Sequence, residues 1–333
     1  MKPEDRFVER LRALLASDRR VIIGPGDDAA VVSSDGEALA VTTDMLVESV
    51  DFLSGEDPES VGRRAIAVNL SDLAAMGARP EFFLLSIGFP PSRGETYPLA
   101  IVRGALSRAD PLGASLVGGD LSRAPTAVVS VALWGRPEGV PLTRSGARPG
   151  DLLFLSGSAG RAAAGLRLAA RGFRPVPGSA GLSSEEEREL LAAYRDPEPR
   201  IALGLDLARG RFAHAVIDVS DGLGVDSARL ARASGVKAVV DRERLPISPA
   251  LAAFAERQGV DPVEWMLAGG DDYELLFAAP EAALPALVAG DPAWGVPVTR
   301  IGSIEIGEGA VLRDRHGERD IAAIGHDHFE AHP

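Results

Sequence analysis

Residues 21–52 read VIIGPGDDAAVVSSDGEALAVTTDMLVESVDF, and their short apolar runs ending in acids beside glycine or threonine decide how the rest of the chain is read. Asp27 and Asp28 follow Gly-Pro-Gly, and Asp44 follows Thr42 and Thr43. The pattern returns as Asp72 in NLSDLAAMGA, Asp120 in LVGGDLS, Asp218 and Asp221 in VIDVSDGLG, and Asp271 and Asp272 in AGGDDYELLF. Any one such aspartate is an ordinary turn residue or helix N-cap. Repeated at the ends of several buried-type runs, the acids are expected to converge at one edge of a sheet, where their mutual repulsion calls for cations. Oxygen donors of this kind suit magnesium, whose coordination is usually completed by substrate phosphates.

Outward from this stretch, residues 5–16 form an amphipathic pattern with Phe7, Leu11, Leu14 and Leu15 at helical spacing, expected to pack as an N-terminal arm. Strands are expected at 21–23, 29–32, 39–43, 82–89, 114–117 and 127–134, and helices at 58–76 and 98–109. The Pro- and Gly-rich segment 135–150 reads as a linker, dividing the chain into domains at 1–137 and 138–333. The second half alternates again, with strands at 151–156, 215–219, 237–241 and 273–277 and helices at 161–170, 185–195, 222–234 and 249–259. A loop is expected at 173–184, and further alternation at 285–289, 298–304 and 310–313. Helices covering mixed sheets place the chain in the α/β (α+β) class. Gly157-Ser158-Ala159-Gly160, between a strand and a helix, fits an anion cradle or close helix-strand packing equally well.

The chain has 333 residues, 46% of them apolar, enough for a large core in roughly two domains. Against 35 basic residues stand 48 acidic ones, for a net charge of -13, so bulk attraction to nucleic acid is excluded and a phosphate substrate must be met through metal. Cysteine is absent, which removes thiolate nucleophiles and disulfides. Lysine occurs only at Lys2 and Lys237, neither in a glycine-rich loop, so a Walker-type lysine has no candidate. No run reads as a signal peptide or membrane span, and the cytoplasm is the expected location.

Thr42, Thr43 and Asp44 place three oxygen donors on consecutive residues. In a strand, Thr42 and Asp44 share one face, and Thr43 must use its backbone carbonyl or a bend. Asp218 closes a strand, while Ser220 and Asp221 sit at a helix N-terminus, where backbone donors favour phosphate.

In order along the chain, GPGDDAAVV, TTDMLVESVDF, RRAIAVNLSDLAAMGARP, GGDLSRAP, RSGARPGDLLFLSG, VIDVSDGL and GGDDYELLF resemble the thiamine-monophosphate kinase family, of the larger aminoimidazole-ribonucleotide-synthetase-like group. The resemblance implies a two-domain fold, a homodimer formed through the N-terminal sheets, and ATP with several magnesium ions bound between domains. It implies direct transfer of the γ-phosphoryl group to thiamine monophosphate. Carried over, the magnesium ligands fall on Asp27, Thr42, Thr43, Asp44, Asp72, Asp120, Asp218 and Asp221. The nucleotide contacts fall on Gly119, Asp120, Arg144 and Ser220, with Arg144 standing in for the absent lysine. Because the acceptor is itself an ionised phosphate, no general base is required.

On the acceptor side the resemblance assigns Asp51, Asp271 and His326, where the family has histidine, glutamate and an aromatic residue. Weaker acceptor binding than is usual in the family is therefore expected, since an ionised Asp51 repels an acceptor phosphate unless a magnesium ion or an arginine such as Arg63 or Arg64 intervenes. His328 and His332, with His326, read as tail residues. A related ATP-using synthetase with another acceptor, and a two-metal phosphohydrolase, are the alternative readings.

Overall fold

The computed structural model describes residues 2–170 and 182–327. The first sheet contains β1 (Val21–Ile23), β2 (Ala30–Ser34), β3 (Glu37–Val47), β4 (Ala78–Phe89), β5 (Ser115–Arg123) and β6 (Val128–Pro137), in the order β1-β2-β3-β6-β4-β5. Its pairs are antiparallel except β4 with β5. The second contains β7 (Leu152–Ser156), β8 (Ala215–Val219), β9 (Lys237–Asp241), β10 (Glu274–Ala279), β11 (Val298–Glu305), β12 (Gly309–Asp314) and β13 (Gly317–Asp320), in the order β13-β12-β9-β11-β7-β10-β8. Only β9 and β12 run parallel there. Both sheets are thus mixed, and the α/β reading with two sheet-centred units holds.

The helices are α1 (Pro3–Leu14), α2 (Pro58–Ala75), α3 (Thr96–Ala109), α4 (Arg161–Ala169), α5 (Ser184–Arg195), α6 (Ile201–Gly210), α7 (Leu223–Ser234), α8 (Pro249–Gln258), α9 (Pro262–Ala268) and α10 (Leu284–Ala289). None of them is long and apolar enough to cross a membrane.

The centre of the molecule is α2. Asp57 caps its first turn by accepting the Ser60 N–H at 3.1 Å, and 14 of its 18 residues are buried, so it has no solvent-facing side to speak of. It packs on β3, β4 and β6 of one sheet, on β8 and β10 of the other, and on α3 and α6. One hydrophobic cluster accordingly runs from Phe83 and Val131 through Leu70 and Leu73 to Phe154, Val216 and Phe277. Small residues permit this crowding. A methyl group on Gly104 of α3 would sit 1.9 Å from the Glu59 carbonyl, and one on Gly204 of α6 would sit 2.0 Å from that of Ala74.

Several expectations are corrected. The apolar stripe of α1 does not pack inward: no residue of that helix is buried, and Phe7 and Leu14 are 55% and 83% exposed. Polar contacts hold the helix instead, as described below. The strand expected to end at residue 117 continues to Arg123, so Gly119 and Asp120 lie within edge strand β5. Helix α6 occupies a segment to which the pattern assigned nothing. Residues 173–181 of the expected loop, and His328 and His332, lie outside the described residues.

The close approach at Gly104 makes a stability prediction. Gly104→Ala should lower the unfolding free energy by about 1–3 kcal/mol in chemical denaturation, because overpacking outweighs the roughly 1 kcal/mol gained in helix propensity. An unchanged or higher stability would show that α2 and α3 have room to separate.

Candidate functional site

Four polar side chains of α2 reach toward loops and strand ends of both sheets. The Thr42 hydroxyl of β3 donates to Asp72, and the Asn69 Oδ1 accepts the Asp44 N–H at 3.0 Å. On the other side, the Ser71 hydroxyl donates to Asp218 of β8 at 2.6 Å, and Arg64 pairs with Asp271 at 2.7 Å. Thr42 and Asp44 therefore share a face, as strand alternation requires. The Thr43 side chain points the other way and donates to the Val131 carbonyl at 2.8 Å.

The third arm of the site comes from the Gly24–Gly26 loop. Asp28 is buried, and carboxylate oxygens of Asp28, Asp72 and Asp218 lie within 4.8 Å of one another. One Asp28 oxygen accepts from Arg144 Nη2 at 2.6 Å and Nε at 3.1 Å, while the other is buried with no hydrogen-bond partner among the described residues. Residue 28 thus takes the place expected of its neighbour. Asp27 instead accepts the backbone N–H groups of Arg144 and Asp28, at 3.0 and 3.2 Å, tying the loop to the segment after β6. Adjacent side chains in an extended turn diverge, so only one of the pair can enter the cluster; the doubled Asp was the only sequence signal for it. Arg144, expected on a linker, is drawn 116 residues back along the chain to Asp28.

Electrostatics mark the cluster as incomplete. Burial, then the charges of Asp44, Asp218 and Asp28, hold the Asp72 carboxyl well above the usual range. Asp218 is raised in the same direction by burial and Asp28, against the hydrogen bond from Ser71. A buried oxygen without a donor, ringed by further carboxylates and hydroxyls, fits a hard divalent cation and nothing softer.

The remaining expected residues are placed as follows. Asp221 pairs with Arg229 at the mouth of β8, and Ser220 accepts the Asp271 N–H on its carbonyl at 2.7 Å. The N–H groups of Asp221 and Gly222, expected to face phosphate, donate to the buried Asp226 at 3.0 and 3.1 Å. The N-terminus of α4 is likewise taken by a carboxylate of the protein itself, since Asp272 accepts from Gly160 and Ala162. Gly119 lies so close to β4 that a methyl group would meet the Leu85 carbonyl at 1.9 Å, and the exposed Asp120 is not part of the triad.

Asp271 adopts a left-handed φ of 68° and accepts from the Tyr273 hydroxyl at 2.8 Å as well as from Arg64. Asp51 closes its own turn by accepting the Val47 N–H at 2.7 Å. The arginines named as able to screen it are engaged elsewhere: Arg63 with Asp196 at 3.2 Å and Arg64 with Asp271. His326 donates its backbone N–H to the Asp221 carbonyl at 2.8 Å.

A two-sheet fold with acids converging across a shared helix defines the class, and residues 26–136 and 148–315 match the family models for the AIR synthase related protein N-terminal and C-terminal domains. Within that class the chain is 36% identical to a thiamine-monophosphate kinase of Rhodopirellula baltica, covering 96% of this chain and 99% of that protein. It is 34% identical to the thiamine-monophosphate kinase of Escherichia coli K12, over 97% and 96% of the two chains. A solved structure described as AaThiL complexed with AMPPCP and TMP superposes with a TM-score of 0.82 at 32% identity, covering 98% of this chain and 96% of that one. The chain belongs to the thiamine-monophosphate kinase family.

Raised carboxyls make stability depend on pH. Asp27 is pushed to about 6 by burial and Asp28, and Asp226 and Asp272 to about 7, chiefly by burial, against an unfolded value of 3.8. Their folded-state pKa exceeds the unfolded one, so their stabilisation is complete below the unfolded value and is lost as pH rises through about 6 to 7. The metal-free protein should therefore melt at a lower temperature at about pH 8 than at about pH 5.5, and added magnesium should recover part of the loss at the higher pH. A melting temperature that climbs over this interval would contradict the placement of these groups.

Proposed function

We propose that the protein transfers the γ-phosphoryl group of ATP to thiamine monophosphate, giving thiamine diphosphate, with magnesium held at the acids that α2 gathers. The observation that carries this reading is the triad of buried Asp28 and Asp218 with half-buried Asp72, drawn from both halves of the chain, in which one Asp28 oxygen has no partner among the described residues. Family membership over nearly the whole chain supports the substrate pair, as does the likeness to a structure described with AMPPCP and TMP.

Asp28, Asp72 and Asp218 would hold magnesium, with Thr42 and Asp44 beside them; Thr43 would join through its carbonyl, and Asp27, Asp120 and Asp221 would take ions at the rim. Bound there, magnesium supplies charge neutralisation for the phosphate oxygens during transfer. Arg144, held as a cation beside Asp28, would donate to a nucleotide phosphate, with Gly119, Asp120 and Ser220 as the other proposed nucleotide contacts. Asp271, fixed by Arg64 and Tyr273, faces the acceptor side together with Asp51 and His326. Since the acceptor oxygen is already ionised, the chain needs only to align it and keep water away. This accounts for the acids gathered by α2 having no histidine, cysteine or lysine among them.

A second copy of the chain is the proposed partner. The outer face of the first sheet exposes Met45 at 58%, Phe82 at 40% and Leu84 at 39%, an apolar surface that a twofold-related sheet would cover. Light scattering should give twice the 34.8 kDa chain mass, and a monomer mass at micromolar concentration would contradict it.

The reaction itself is tested by ADP release. ADP should form only when ATP, magnesium and thiamine monophosphate are all present, with thiamine diphosphate appearing in equal amount. ADP without the acceptor would make the protein a phosphohydrolase. No ADP with thiamine monophosphate, but turnover with another acceptor, would place it among the related synthetases.

A further inference from the structure

Arg229 of α7 is only 8% exposed, yet four carboxylates meet its guanidinium. Asp221 and Asp226 share one nitrogen, the latter at 2.9 Å, and Glu4 and Asp5 of α1 approach the others at 3.3 Å each. Asp226 is fully buried, and its second oxygen accepts the N–H groups of Asp221 and Gly222. One guanidinium nitrogen therefore links the Asp221 side chain to the carboxylate that holds the Asp221 backbone. The link closes a ring through the turn and leaves Asp221 little freedom to rotate.

Helix α1 grips the outside of the same group. Asp5 also pairs with Arg232 at 2.9 Å, and at the other end of the helix Arg12 donates to the Pro25 carbonyl, in the loop leading to Asp28. With no buried residue of its own, α1 is held by these polar contacts and by those at its start, where Lys2 donates to the Gly325 carbonyl at 3.1 Å. It spans from the Asp221 turn of the second half to the Asp28 loop of the first.

We propose that Arg229 is a positioning residue that orients Asp221 for cation binding, and that the acidic first turn of α1 is the outer jaw that keeps Arg229 in place. The proposal rests on the metal role given to Asp221 above. A carboxylate with one oxygen fixed by a guanidinium presents the other in a single direction, which is how partners beyond the ligands tune metal affinity.

Two full-length variants test it. Arg229→Lys keeps the charge and loses the fork, and Asp5→Asn leaves Asp221 and Arg229 intact while opening the outer jaw. Manganese binding, titrated by calorimetry with a non-hydrolysable ATP analogue, should weaken about tenfold in Arg229→Lys and about threefold in Asp5→Asn. The Michaelis constant for thiamine monophosphate should stay within about twofold, since no ligand of the acceptor is altered. Melting temperatures recorded alongside keep the readout to folded protein. Manganese affinity equal to wild type in both variants, even with lowered melting temperatures, would overturn the proposal and leave Arg229 a purely structural hub. A wild type that bound no manganese with the analogue would instead defeat the metal reading on which the proposal stands.

Discussion

The contact between α2 and the acids on either side of it is the constraint on which the rest of the structure depends. A helix buried on nearly all sides normally carries apolar residues throughout. This one carries Arg64, Asn69, Ser71 and Asp72 along its length, and each meets a partner on a loop or strand outside the helix. The two sheets cannot separate without parting Ser71 from Asp218 and Arg64 from Asp271, at a cost of the order of 1–3 kcal/mol for each unmet polar group. The glycines of α3 and α6 that let α2 sit so close are part of the same requirement.

The gathered acids are a burden to the fold. Burial and mutual repulsion raise Asp72 and Asp218, and the chain offsets this only in part, with Ser71 and Thr42 donating inward and Arg144 set against Asp28. A protein selected for stability alone would replace such a cluster by apolar residues of similar volume. A cation would offset this repulsion, and the proposed phosphoryl transfer gives these residues a reason that packing does not. The left-handed turn at Asp271 and Tyr273, zipped to the Val219 and Ser220 carbonyls, is a further strained element kept beside the site.

Local patterns in the chain carried most of the fold and about half of the site. Apolar runs ending in acids located the strands that bear Asp44 and Asp218, and alternation along β3 separated Thr42 and Asp44 from Thr43. What depended on distant partners was not visible. Nothing near Arg144 signals that it folds back to Asp28, and nothing in GDDAA says which aspartate turns inward. Asp272 resembles a site acid in sequence but serves as the cap of α4, more than a hundred residues earlier. The stripe of α1 has helical spacing, yet spacing alone does not reveal whether a surface exists to receive it. Helix α6 was missed because its Ile201, Leu203, Leu205 and Leu207 alternate with a period of two and give no helical stripe.

The central claim, that α2 joins acids of both halves into one metal centre for phosphoryl transfer, is tested most directly by a crystal structure with manganese and a non-hydrolysable ATP analogue. Anomalous density should place an ion about 2.1–2.2 Å from oxygens of Asp28, Asp72 and Asp218, with the analogue's phosphates completing its coordination. Ions bound only at surface carboxylates, with the triad protonated and Arg144 still on Asp28, would contradict it.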